Sequence, residues 1–153
     1  MLGFGLMTYI MCSNSLCSFE ICRILKEENI DISCEYYYYY DGNGEPVLRR
    51  FNEESLFLYS GCSHDYIYFC PFLDDLLNWF IENRSVTLSI TMGIYAWNGE
   101  DRCRLHWDYH VVELSDERLE YPFDAHYGYN SYREALHVGL YDLVNVYLKK
   151  KNG

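Results

Sequence analysis

Seven cysteines and five histidines carry the chemistry for metal binding or nucleophilic attack, so their spacing sets the first question. Cys62-x-His64 followed by Cys70 is the best metal candidate, because thiolate and imidazole are zinc ligands and a short loop brings the first two together. A fourth ligand would have to come from afar. The spacing matches no zinc module, and it favours ordinary loop and core residues. His106 and His110 form H-x-x-x-H, which on a helix would place two imidazoles one turn apart. They alternate with apolar residues as a strand does, and four strand residues rise about 13 Å, too far for one metal ion. His106, Asp108 and His110 are therefore expected as a solvated or partner-facing stripe. A cysteine nucleophile needs a base and an orienting group, and no local signature assembles one. The chain contains no G-x-S-x-G, no H-E-x-x-H and no phosphate-cradling glycine loop, and Gly42-x-Gly44 reads as a hairpin turn. No catalytic residue and no cofactor is expected. A small cysteine- or metal-dependent enzyme, with Cys62, His64 and Cys70 converging, is an alternative.

Seventeen tyrosines exceed the needs of one small core, and five of them run consecutively from Tyr36 to Tyr40. In a strand, Tyr37 and Tyr39 share one face while Tyr36, Tyr38 and Tyr40 share the other. One face belongs to the core; the other is either covered by a further element or free as an aromatic patch. Tyrosine offers a partner large contact area at low entropic cost. Tyr37 and Tyr39, with His106, Asp108 and His110, are the candidate partner-binding residues.

The net charge of −11 argues against direct nucleic-acid binding, which needs clustered Lys and Arg. It suits a protein partner with a basic surface, including a nucleic-acid-handling protein whose binding site an acidic protein could occupy. The cysteine number is odd and no C-x-x-C occurs, so reduced core thiols in a cytoplasmic protein are expected, with Cys22 on the inner face of a helix and Cys34 and Cys103 in strands. The apolar run Met1 to Cys12 falls short of the roughly 18 residues a membrane span needs and lacks a basic flank. It reads as a buried first strand, and no membrane association is expected.

The elements that must position these residues come as one pattern written twice. An amphipathic helix, the pair Glu-Asn, an alternating strand and an Asn-Gly-Glu turn occur at Glu28-Asn29 to Asn43-Gly44-Glu45 and again at Glu82-Asn83 to Asn98-Gly99-Glu100. Helix one starts near Ser18, an N-cap, and buries Ile21, Cys22, Ile24 and Leu25 while Arg23, Lys26 and Glu27 face water. Ile32 to Tyr40 reads as a strand, followed by a less clear one over Pro46 to Phe51 and a short one at Leu56 to Tyr59. Asp65 to Cys70 alternates as a strand. Pro71 opens a second helix carrying Phe72, Leu73, Leu76, Leu77 and Phe80 and ending near Arg84. Val86 to Trp97 and Leu105 to Val111 form a hairpin with one apolar face. Ser115 to Tyr129 reads as a connection. Ser131-x-x-Glu134 is a capping box for a last helix with a core stripe of Leu136, Leu140, Leu143 and Tyr147, Asp142 facing out, and Lys149 to Lys151 at its end. The expectation is a single domain over residues 1–153, of α+β class, with an antiparallel sheet of hairpins and about three helices.

The helix ending Arg23-Ile24-Leu25-Lys26-Glu27, the tyrosine-rich strand, the helix opening at Pro71 with Trp79 inside, and Ser131-Tyr132-Arg133-Glu134-Ala135-Leu136 together carry a resemblance. Over about two-thirds of its length, the chain resembles uncharacterised small acidic proteins of gut Bacteroidales, their phages and mobile elements. The resemblance implies no activity. It implies a non-catalytic accessory or host-interaction protein, an acidic inhibitor being its concrete form. A structural, self-assembling phage component that forms homo-oligomers is a further alternative.

Overall fold

The computed structural model describes residues 16–52, 64–96, 103–114 and 126–148. The chain divides into two compact units, Met1–Asp75 and Leu76–Gly153. Among the described residues they hold three helices and two antiparallel three-stranded sheets, the α+β class expected from the sequence.

In the first unit, α1 spans Phe19–Glu27. Ser18 caps it by accepting a hydrogen bond from the Ile21 amide, and its buried face is the expected Ile21, Cys22, Ile24 and Leu25. The helix ends in a Schellman motif. Ile30 N–H donates to the Leu25 carbonyl and Asn29 N–H to that of Lys26, with Asn29 left-handed at φ 54°. Strands β1 (Tyr36–Tyr39), β2 (Val47–Arg50) and β3 (Ile67–Cys70) form an antiparallel sheet of order β2-β1-β3. The first strand is shorter than its alternation suggests because both its partners have only four residues. Residues 31–35 precede it outside the sheet, so Cys34 is not a strand residue. A 3-10 turn, His64–Tyr66, replaces the start expected for the third strand. The expected strand at Leu56 to Tyr59 lies outside the described residues, as does that at Met1 to Cys12.

Helix α2, Leu73–Arg84, begins with the last residues of the first unit and continues into the second. Leu73, Leu76 and Phe80 are buried, and Ser85 at φ 52° turns the chain directly into β4. Strands β4 (Val86–Ala96) and β5 (Cys103–Glu113) pair over their full lengths without a register shift. A third strand, β6 (His126–Tyr129), pairs with β5 through a shifted register. It occupies the end of the stretch expected to be a connection, because Gly128, at φ 94°, bends through a conformation that interrupts a regular strand pattern.

Helix α3, Tyr132–Leu143, lies across β4 and β5. Ser131 Oγ accepts from the Glu134 amide at 3.1 Å, while the Glu134 carboxylate accepts from Asn130 N–H at 2.8 Å. Gly139 allows close approach: a Cβ there would stand 2.8 Å from Leu88 Cδ1 and 3.2 Å from Tyr109 Cδ2. After Leu143 the helix widens into a π-turn, Val144–Leu148. The extra residue in the turn puts Leu148 into the core, where Tyr147 was expected, and leaves the Tyr147 hydroxyl donating to Glu113. Asp142 does not face out as expected, since its carboxylate accepts the Tyr109 hydroxyl's hydrogen bond.

Candidate functional site

Three elements bring cysteines together in the first unit. Cys17 precedes the α1 cap, Cys22 lies on the inner face of α1, and Cys70 ends β3. Cys70 Sγ donates to the Cys17 carbonyl at 3.3 Å and is in side-chain hydrogen-bonding contact with Cys22. The half-buried Cys34 sulfur meets the backbone N–H of Cys70. All four thiols are free. Burial, and then the neighbouring Cys70, push the Cys17 thiol up; the hydrogen bond with Cys70, and then burial, do the same for Cys22. Burial pushes Cys34 up to about 11 against the opposing backbone hydrogen bond. Thiols held protonated are poor nucleophiles and poor ligands.

This cluster differs from the metal set suggested by spacing. Cys62 lies outside the described residues, and His64 contributes its backbone to the 3-10 turn. Cys70 is buried among the other cysteines of its unit. Among the described residues, no group of three or more His, Cys, Asp or Glu could hold a metal ion. The convergence of Cys17, Cys22, Cys34 and Cys70 had no signal in the spacing. The inner-face position of Cys22 was its one legible part.

The tyrosine tract is covered on both faces. Phe19 of α1 meets Tyr38, Tyr40 and Tyr68 edge-on, with ring centroids 5.6, 5.2 and 5.0 Å away, and Tyr38 Oη donates to the Cys17 carbonyl. On the opposite face Tyr37 is 6% exposed, its centroid 4.7 Å from that of Phe51, which in turn lies 5.8 Å from Phe69. Tyr37 is thus a packing residue and not a free contact surface. Tyr39 stays half-exposed beside Tyr66 and the Arg49 guanidinium.

The expected polar stripe on β5 is also less open than its composition suggests. Asp108 is 3% exposed and accepts the Gly128 N–H at 3.3 Å, which anchors β6 at its register shift. His106 and His110 flank it on the same face, half-buried, with their Nδ1 atoms inaccessible. The strand that places them is the one expected, so H-x-x-x-H does not chelate here.

A cleft of about 240 Å³ runs along the end of α1, lined by Cys22, Lys26, Ile30, Ile32, Phe69 and Pro71 among others. Lys26 does not face water as expected. Its ammonium donates to the Ile67 carbonyl at 2.9 Å and sits 4.3 Å above the Tyr68 ring. Burial lowers its pKa, opposed by Asp65. The cleft is smaller than the roughly 300 Å³ at which small-molecule sites begin. It offers room for a small apolar group, and its ionisable lining residues besides Cys22 are Lys26, held on the Ile67 carbonyl, and the exposed Asp31.

The electrostatics of the first unit are more distinctive. Residues 1–75 contain twelve Asp and Glu against four Lys and Arg, a net −8 of the chain's −11. All four cations are engaged. Arg23 pairs with Glu20 at 2.8 Å and Glu27 at 3.9 Å, Arg50 with Glu35 at 3.4 Å, Arg49 lies over Tyr39, and Lys26 is held as described. Asp31, Glu45, Asp65, Asp74 and Asp75 are exposed and belong to none of these ion pairs.

No helix among the described residues is long and apolar enough to cross a membrane. Comparisons with protein-family models, with curated proteins and with solved structures give no match to this chain.

Proposed function

We propose that this protein is a non-catalytic accessory protein that binds a basic protein surface through the acidic exterior of its first unit. The observation that supports this most directly is the imbalance of charge there: each of the four cations has a local partner while exposed carboxylates outside those ion pairs remain for a binding protein. A surface of this kind accelerates encounter with a positive patch and repels nucleic acid. A nucleic-acid-handling protein fits, since its binding groove is the basic surface most in need of an acidic occupant. The setting is the phage or mobile-element one that the resemblance implies. The protonated thiol cluster and the small cleft favour this reading over an enzyme.

The test is capture from nuclease-treated bacterial lysate across a salt series, comparing the native chain with a variant carrying Asp31→Asn, Glu45→Gln and Asp65→Asn. The expected result is one dominant basic partner, lost at high salt and weakened by the triple variant. Capture that is equally strong at high salt, or unaffected by the three substitutions, would overturn the electrostatic reading.

A further inference from the structure

A sheet's outer strand exposes N–H and C=O groups that can recruit another chain, and proteins normally blunt such edges by shortness, charge, proline or irregularity. Among the described residues, three of the four outer strands here are blunted. Strand β2 has four residues, follows Pro46 and carries the exposed Arg49 and Arg50. Strand β3 has four residues and is closed by Pro71. Strand β6 has four residues, one of them Gly128 in a left-handed conformation, and a register shift. Strand β4 has none of these devices. It runs for eleven residues, Val86 to Ala96, without a charge, a proline or a shift in its ladder to β5. Its far half is also open and apolar: Met92 is 54% exposed and Ile94 67%, with Leu105 at 52% opposite Ile94.

We propose that β4 is a self-association edge, pairing antiparallel with β4 of a second copy about a two-fold axis near Met92. Charge selects the occupant. Two copies that each carry −11 repel, so they can meet stably only where neither presents carboxylates, and β4 presents none. Alternation restricts the pairing to registers that set even-numbered residues against even-numbered ones, which joins the apolar faces of the two sheets. The assembly also closes. The doubled sheet would end on both sides in β6, which is short and irregular, so growth stops at two.

The test is sedimentation equilibrium over a wide concentration range at low and high salt, with amide hydrogen exchange on the same samples. The expected result is a mass that doubles with concentration, earlier at high salt because repulsion is screened, with the alternate amides of Thr91 to Ile94 that face away from β5 gaining protection in parallel. This salt response is opposite to that of the acidic contact above, so the two ideas fail separately. Thr91→Lys and Met92→Lys should stay monomeric with an unchanged far-ultraviolet circular dichroism spectrum, while Val47→Lys on β2 should dimerise like the native chain. If the lysine variants misfold, the concentration dependence of exchange in the native chain decides. A monomer at every concentration, outward-facing β4 amides already protected in the monomer, a dimer that survives both lysine substitutions, or growth beyond two copies would each overturn the proposal.

Discussion

Both units of this protein end a helix on one left-handed residue ahead of an antiparallel hairpin, Asn29 in the first and Ser85 in the second. They solve the burial problem differently. The first has four-residue strands, too short to bury much by themselves, and fills the gap with tyrosine and phenylalanine rings around Phe19 and with thiols under α1. The second has eleven-residue strands and an aliphatic seam in which Leu136, Leu140 and Leu143 of α3 share the core with Leu88 and Tyr109. The lesson is that the interior chosen by each unit leaves a different exterior. Short strands covered by rings leave space outside for carboxylates, whereas a long outer strand without charge leaves an open edge.

Substitutions that exploit this contrast should differ in size. Phe19→Ala removes the hub of three edge-on ring contacts, and a cost of about 3 kcal/mol is expected, the low end for Phe→Ala because the ring is half-exposed. Gly139→Ala adds one methyl group against Leu88 and Tyr109, and its overpacking cost is partly offset by the gain of alanine over glycine inside a helix, so a net cost of up to about 2 kcal/mol is expected. Urea denaturation of each variant measures both. A stabilising Gly139→Ala would mean that Leu88 swings aside and leaves only the helix-propensity gain.

A smaller effect separates the units by pH. In the second unit two tyrosine hydroxyls donate to carboxylates, Tyr109 to Asp142 and Tyr147 to Glu113. Burial, reinforced by the carboxylate, raises both phenols, Tyr147 up to about 12. A raised phenol binds its proton more tightly when folded. Its contribution is therefore complete below the unfolded value of about 10 and is lost as pH rises through the folded value. Stability measured from neutral pH to pH 12 should begin to fall above about pH 8.5, where the raised thiols of the first unit start to ionise in the unfolded chain, and fall more steeply above about pH 10, where the phenols do. Tyr109→Phe should cost about 1 kcal/mol at neutral pH and reduce that fall. An unchanged alkaline slope in the variant would remove Tyr109 from the account.

Much of the fold was legible in the sequence because its signals were local. The Ser18 and Ser131 caps, the α1 stripe and the β4–β5 alternation depend on residues within a few positions of one another, and they stand as expected. What stayed illegible depends on distant partners. The length of β1 is set by β2 and β3, β6 is recruited by Asp108 through Gly128, and Tyr147 gives way to Leu148 because the helix widens to a π-turn. The candidate site followed the same division. Tyr37 and Asp108 looked available because a strand pattern reports which residues share a face, not what covers that face. The cysteine cluster was hidden because Cys17 and Cys70 are far apart in the chain and meet only once β3 packs against α1.

The smallest expected difference lies at the two left-handed residues, where the units are most alike. Asparagine visits this region more readily than other non-glycine residues, so Asn29 at φ 54° carries little strain and Asn29→Gly should be close to neutral. Serine has no such advantage, and Ser85 at φ 52° bears about 1 kcal/mol or more of the left-handed penalty. Ser85→Gly removes that penalty but frees the unfolded backbone, which costs about 0.5–1 kcal/mol in return. The net expectation is a gain of a few tenths of a kcal/mol at position 85 and none at position 29, read from paired thermal melts. A loss at Ser85→Gly would instead assign the serine side chain a structural role between α2 and β4, where Ser85 already accepts the Leu114 amide through its carbonyl at 2.7 Å.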